Sequence, residues 1–252
     1  MKIITHLLLI VAIAVNAQTK DTLTINASDL ILKNLNFGNS AYLVYNTKGQ
    51  DQPMQNATLV KIATQKQSSN NQDYILVNQT WEADTIIHQA TTRFDSKQLK
   101  TLSHSSWWKR KGYTEHYDFA KAETRFDGPI KEEIKSGLIT SFNAALTSDF
   151  LNWHSDLVLF PLLPFKENRV FKINFYEPGH AIPKQETYEV IGSEKITLAG
   201  NPIDCWILNY KVEKPTGYQR FWISKQSREV LKEEDNFGAF YRYKLKLIAH
   251  QN

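Results

Sequence analysis

Residue types that could do chemistry occur at several places, and their spacing decides how far each can be taken. His154-Ser155-Asp156 contains the three residue types of a hydrolase triad. They are immediate neighbours, whereas triad members converge from separate loops, and no Gly-x-Ser-x-Gly elbow accompanies them. The run therefore reads as a helix-terminal cap, with Ser155 or Asp156 accepting from orphan amides. Glu132-Glu133 and Glu233-Glu234-Asp235 are carboxylate clusters. A glycosidase needs two carboxyl groups facing each other across a cleft, which sequence does not show, and solvated faces are the expectation. His88, His104, His116 and His180 share no metal-ligand spacing; His104 and His116 could meet across a hairpin at Lys111-Gly112. Cys205, the only cysteine, lies in Ile203-Asp204-Cys205-Trp206-Ile207-Leu208 and reads as a packed, inert thiol. No catalytic residue, metal set or cofactor is identified, and the chain is expected to be non-enzymatic.

Trp107-Trp108-Lys109-Arg110-Lys111-Gly112-Tyr113 is the most unusual run, with three cations at a turn flanked by aromatics. Side chains alternate along a strand, so the two tryptophans face opposite ways. With one packed, Trp108 with Lys109, Arg110 and Lys111 is the candidate membrane contact, each cation contributing about 1 kcal/mol near an anionic surface. The other reading is a solvated hairpin tip.

The start of the chain bears on location. Met1-Lys2 precedes an apolar run from Ile3 to Val15, and Val15-Asn16-Ala17 suits a signal peptidase. The run is too short to span a bilayer, and no cysteine stands at the cleavage site. The expectation is a signal peptide over residues 1–17 and one domain over 18–252. The periplasm is the expected compartment, with secretion outside the cell as the alternative. The formal charge is +4 over 252 residues, and no Lys/Arg stripe runs along any segment, which excludes a nucleic-acid partner. One cysteine excludes an internal disulfide.

Period-two alternation dominates what must position these residues. Tyr241, Tyr243, Leu245 and Leu247 fall on one face of the last strand; Arg242, Lys244 and Lys246 fall on the other, read as a wet face. Strands are predicted over 41–46, 57–63, 74–81, 85–94, 99–108, 113–120, 171–176, 187–191, 206–212, 218–224, 228–234 and 241–247. Turns such as Thr47-Lys48-Gly49-Gln50, Glu177-Pro178-Gly179 and Lys225-Gln226-Ser227 separate them. Helical spacing of Leu138, Phe142, Ala145, Leu146, Phe150 and Trp153 predicts a helix from Leu138 to Trp153. Leu157 to Phe165 follows, the most apolar stretch after residue 17, and its two prolines forbid a long helix or a central strand. It either plugs the core or lids a cavity.

Phe221-Trp222-Ile223-Ser224-Lys225-Gln226-Ser227-Arg228-Glu229-Val230-Leu231-Lys232 and the preceding Gly200-Asn201-Pro202-Ile203-Asp204-Cys205-Trp206 resemble bacterial domain of unknown function family 3108 over roughly residues 30 to 250. The plan is similar to the LolA, LolB and LppX type of periplasmic lipid carriers. The resemblance implies a mainly β, curved antiparallel half-barrel, here of about ten strands with one central helix and an apolar, Pro-containing lid. It offers no catalytic residues. Together these readings favour a binding protein that holds an apolar or acyl ligand on the concave face. Trp153, Leu159, Phe160, Leu163, Phe165, Trp206 and Tyr210 are the candidate ligand contacts. The alternative is an envelope interaction module with a filled core, whose partner is an envelope protein or the membrane surface.

Overall fold

The computed structural model describes residues 20–50, 52–69, 72–198, 200–213 and 217–247. The expected signal peptide lies outside the described residues. The chain begins with β1 (Thr22–Ile25) and then forms a meander: β2 (Gly38–Thr47), β3 (Gln55–Ser69), β4 (Gln72–Glu82), β5 (Ile86–Asp95), β6 (Thr101–Trp108), β7 (Thr114–Asp118) and β8 (Glu123–Asp127). Helix α1 (Glu132–Ala145), β9 (Leu151–Asn152) and the short helix α2 (Asp156–Leu159) follow. A second meander completes the chain: β10 (Val170–Tyr176), β11 (Lys184–Leu198), β12 (Asn201–Val212), β13 (Gly217–Ser224), β14 (Val230–Asn236) and β15 (Tyr241–Leu247).

All fifteen strands belong to one sheet. Its order is β1, then β10 to β15, then β2 to β8, with β9 beside β10. The two meanders join where β15 pairs antiparallel with β2, Lys244 opposite Val44. β1 and β9 run parallel to β10; the other pairings are antiparallel. The sheet is open, with β1 and β8 at its free edges. The strand count exceeds the predicted one chiefly because β1, β8 and β9 are too short to carry a readable alternation, and each is held by a neighbouring strand.

One face of the sheet is apolar because alternate residues point there. Val60 and Ile62 of β3, Ile75 and Val77 of β4, and Phe94 of β5 join Leu208, Phe221 and Ile223 from the other meander in one core. The segment after α2 crosses this concave face. Pro161 sits within the first turn of a 3-10 helix over Phe160–Leu162, a position where its missing N–H costs nothing. Phe160 packs on Phe221, Tyr188 and Phe175 at 4.8, 5.1 and 5.8 Å between ring centroids. Leu159, Phe160, Leu162 and Leu163 are at most 1% exposed. Of the two roles weighed for this segment, its packing is that of a plug.

Helix α1 begins at Glu132 and ends at Ala145, so the predicted stretch from Leu138 to Trp153 is corrected at both ends. Leu138, Phe142 and Ala145 are its buried side. Phe150 and Trp153 continue the apolar spacing, but the chain between them leaves the helix to pair Leu151 with Phe175 on β10. Phe150 reaches the same aromatic cluster from outside the helix, 5.1 Å from Phe119 and 5.2 Å from Tyr176. Cys205 is buried, and burial pushes its thiol up to about 11, as an inert thiol requires.

Candidate functional site

The concave face is closed by the plug along most of its length and opens at one end, where strands β3 to β6, β15 and the turn after β10 meet. A ladder of rings runs along this opening. Trp81 lies 6.0 Å from Trp108, Trp108 stacks on His88 at 3.7 Å, His88 is 5.8 Å from His154, and His154 stacks on His104 at 4.6 Å. Alternation explains the ladder: Trp81, His88, His104 and Trp108 all occupy inward positions on β4, β5 and β6. His104 and His116 do not meet, because Ser105, not His104, is opposite His116. His116 instead bonds Asp127 at 2.8 Å.

Hydrogen bonds fix the imidazole tautomers. His88 Nδ1 donates to the Trp107 carbonyl at 2.8 Å. His154 Nε2 donates to the Pro178 carbonyl at 3.4 Å. His104 Nδ1 accepts from Thr92 Oγ1 at 2.9 Å and Asn152 Nδ2 at 3.2 Å, leaving its proton on Nε2. Burial pushes His88 down to about 4 and His154 down to about 3, and holds His104 well below the ordinary imidazole value. All three are neutral at pH 7.

Beside the ladder lies a buried charge network. Glu233 and Asp235 on β14 stand directly opposite Lys244 and Arg242 on β15. Arg242 Nη2 and Nε contact Asp235 Oδ2 at 2.6 and 2.7 Å. Lys244 Nζ contacts Glu233 Oε2 at 2.6 Å. Asp156 joins from α2, its Oδ1 accepting from the Leu157 amide at 2.7 Å. Burial, with Glu233 nearby, raises Asp156 to about 6 and Asp235 to about 7, against the pull of the two cations. Burial works against the charge on Lys244 and Arg242, but the surrounding carboxylates outweigh it and raise both. This corrects two expectations. The polar side of β15 faces the concave interior, while Tyr243 stacks on Tyr45 at 5.2 Å on the other side. Glu233 and Asp235 are 1% and 0% exposed rather than solvated. Cross-strand pairing makes both possible, since a buried charge persists where it is matched.

The opening holds two adjoining clefts. One, of about 340 Å³, is lined by Trp81, Trp108, His88 and His154 of the ladder, by Asp156, Arg242 and Lys244, and by Arg110 and Glu177. The other, of about 280 Å³ and more apolar, is lined by Trp153, Phe175, Ala181, Ile182 and Tyr210, with Glu177, Lys184, Glu186 and Gln219 completing it. Trp153 and Glu177 line both. The turn Glu177-Pro178-Gly179-His180 borders the first cleft, and Gly179 lies against the Glu115 carboxylate of β7. The Glu115 carboxylate bonds Lys111 at 2.7 Å and the Tyr117 hydroxyl at 2.9 Å. Gly179 has φ +88°, and a Cβ there would lie 2.0 Å from Glu115 Oε2. Only glycine fits.

Of the predicted ligand contacts, Trp153 and Tyr210 line the apolar cleft. Leu159, Phe160 and Leu163 lie in the closed core. Phe165 and Trp206 stack on each other, with ring centroids 6.2 Å apart. The predicted membrane-contact run divides. Lys109 is exposed, Lys111 is tied to Glu115, and Trp108 belongs to the concave ladder with Arg110 over its ring at 5.0 Å. Trp107 is the tryptophan of the convex face, beside Gln89, Thr91 and Ser105. Ser155 is buried, with its hydroxyl 3.5 Å from Thr92 Oγ1; of the two expected acceptors Asp156 takes the Leu157 amide, and Asn152 accepts from the His154 amide at 3.0 Å. Sequence reasoning passed over Trp81, Asp156 as a charged site, Arg242 and Lys244. The available signal was the pairing of Glu233-Glu234-Asp235 with the alternating cations of the next strand. Among the described residues, no group of three or more His, Cys, Asp or Glu is arranged to hold a metal ion.

An open antiparallel half-barrel, plugged along its concave face and carrying a charged, tryptophan-lined cleft at one end, defines the class of protein. The sequence matches the family model described as protein of unknown function (DUF3108) over residues 41–246, and the chain belongs to that family. No curated protein matches it. Among solved structures, a Bacteroides fragilis protein with a YmcC-like fold is similar at 10% identity and a TM-score of 0.36, covering 84% of this chain and 97% of that one. The Mycobacterium tuberculosis lipoprotein LppX is similar at 9% identity and a TM-score of 0.27, covering 84% and 85%. The hypothetical lipoprotein YmcC of Escherichia coli is similar at 14% identity and a TM-score of 0.26, covering 83% and 86%. No helix among the described residues is long and apolar enough to cross a membrane.

Proposed function

We propose that this protein is a non-enzymatic binding protein, exported to the cell envelope, that takes an amphiphilic, lipid-like ligand at the open end of its half-barrel. The carrying observation is that the apolar cleft and the charged cleft adjoin at Trp153 and Glu177. An apolar chain fits against Phe175, Ile182 and Tyr210 while a polar group lies toward the tryptophan–histidine ladder. Together the clefts fall within the range of about 300–1,000 Å³ typical of small-molecule sites. The ligand position differs from a cavity under the apolar segment, because Leu159, Phe160 and Leu163 fill that space. Export rests on the Met1 to Ala17 pattern.

Titration with a fluorescent acyl probe tests the reading. Wild-type protein should bind it saturably. Ile182→Asp should lose most of that binding while melting unchanged, because Ile182 is 60% exposed and its substitution does not disturb the core. The filled core favours a second reading, an envelope interaction module without a ligand. Native mass spectrometry of protein purified from its own envelope separates the two: a co-purifying amphiphile supports the first, and a bare polypeptide mass with no probe binding supports the second.

A further inference from the structure

We infer that the charged cleft seats an anionic head group, a carboxylate or phosphate, and that Glu177 occupies its place when no ligand is bound. The inference rests on the amphiphile-binding reading and specifies the ligand's polar end. Arg110 supplies the first observation. It lies exposed at the cleft with its guanidinium over Trp108, and it makes no ion pair among the described residues. A planar cation laid on an aromatic face keeps its N–H donors directed outward for an oxyanion. Arg242 supplies the second. Its Nε and Nη2 are committed to Asp235 and Glu233, and Nη1 makes no hydrogen bond among the described residues.

Glu177 supplies the third. Its half-buried carboxylate lies in the combined field of Lys111, Arg242 and Arg110, while burial raises its pKa. Its direct partner is His180 Nε2 at 3.3 Å. His180 is itself pushed below the ordinary imidazole value by burial and by Lys111, which disfavours its charged form. A carboxylate on a turn, incompletely desolvated and in the field of three cations none of which pairs with it among the described residues, stands where an external oxyanion would be attracted. An incoming head group competes with it.

Competition against the acyl probe tests this with dodecanoate, dodecyl phosphate, dodecanol and dodecyltrimethylammonium, all below their micelle concentrations. The two anions should compete about tenfold better than dodecanol, and the cation worst. Glu177→Gln should tighten both anions several-fold and leave dodecanol unchanged; Arg110→Gln should weaken both anions several-fold. Both side chains are at least partly exposed, so melting should be preserved, and tighter binding cannot arise from misfolding. A preference between the two anions assigns the head group as carboxylate or phosphate. Equal competition by dodecanol and the anions, with Glu177→Gln without effect, overturns the head-group inference and leaves amphiphile binding standing. Failure of every compound and of the probe overturns both.

Discussion

Arg242 and Lys244 face inward because Glu233 and Asp235 stand across from them, and this local matching gives the opening its electrostatics. The buried groups pull stability in two directions with pH. His88, His154 and His104 have folded pKa values below the ordinary 6.5, so their contribution is full above that value and is lost as pH falls toward about 4 and about 3. Asp156 and Asp235 have folded values of about 6 and about 7, above the ordinary 3.8, so their contribution is full below that value and is lost as pH rises through those values. At about pH 5 these five groups together bind about one more proton in the unfolded chain, gained on three imidazoles and given up on two aspartates, so their combined contribution to stability falls on acidification. Asp235→Asn removes one opposing group. Its loss of stability from about pH 6 to about pH 4.5 should be steeper than wild type by roughly 1 kcal/mol per pH unit. Urea midpoints across that range measure it, and a shallower slope would contradict the assignment of Asp235.

The turn between β10 and β11 and the strands beneath it act as one element. Gly179 is seated on a carboxylate that cannot give way, since Lys111 and Tyr117 both hold Glu115. Gly179→Ala combines a left-handed backbone with a steric clash and should cost about 2–3 kcal/mol in urea unfolding. It should also weaken acyl-probe binding, because the displaced turn carries Glu177. An unchanged urea midpoint would show that the turn is free of Glu115. At this scale the sequence was legible where alternation or a turn residue marks an element: twelve strands and the Glu177-Pro178-Gly179 turn lie where expected. The helix was misread because Phe150 and Trp153 continue a helical spacing by coincidence; Phe150 joins Phe119 and Tyr176, whereas Trp153, beyond β9, packs on Phe175.

Across the whole molecule, the core runs without interruption from Ile25 and Val60 to Leu208 and Val230. The β15–β2 pairing makes the two meanders a single sheet. We therefore expect residues 18–252 to unfold as one cooperative domain, with tryptophan fluorescence and far-ultraviolet circular dichroism giving coincident urea transitions. Two separated transitions would show that the meanders fold independently.

The sequence by itself determined that the chain forms antiparallel strands, where most of them turn, that Cys205 is buried and that a proline-broken apolar segment meets the sheet. These follow from local rules, namely period-two patterning and the backbone limits of proline and glycine. Only the tertiary structure decided which face of β15 turns inward, because alternation distinguishes two faces without saying which one meets the core. It was decided by the carboxylates of β14, whose proximity to Lys244 and Arg242 depends on strand register. The same holds for the histidine ladder: residues 88, 104 and 154 come from β5, β6 and the turn before α2. Their rings meet because the sheet curves around the plug, which no spacing along the chain records.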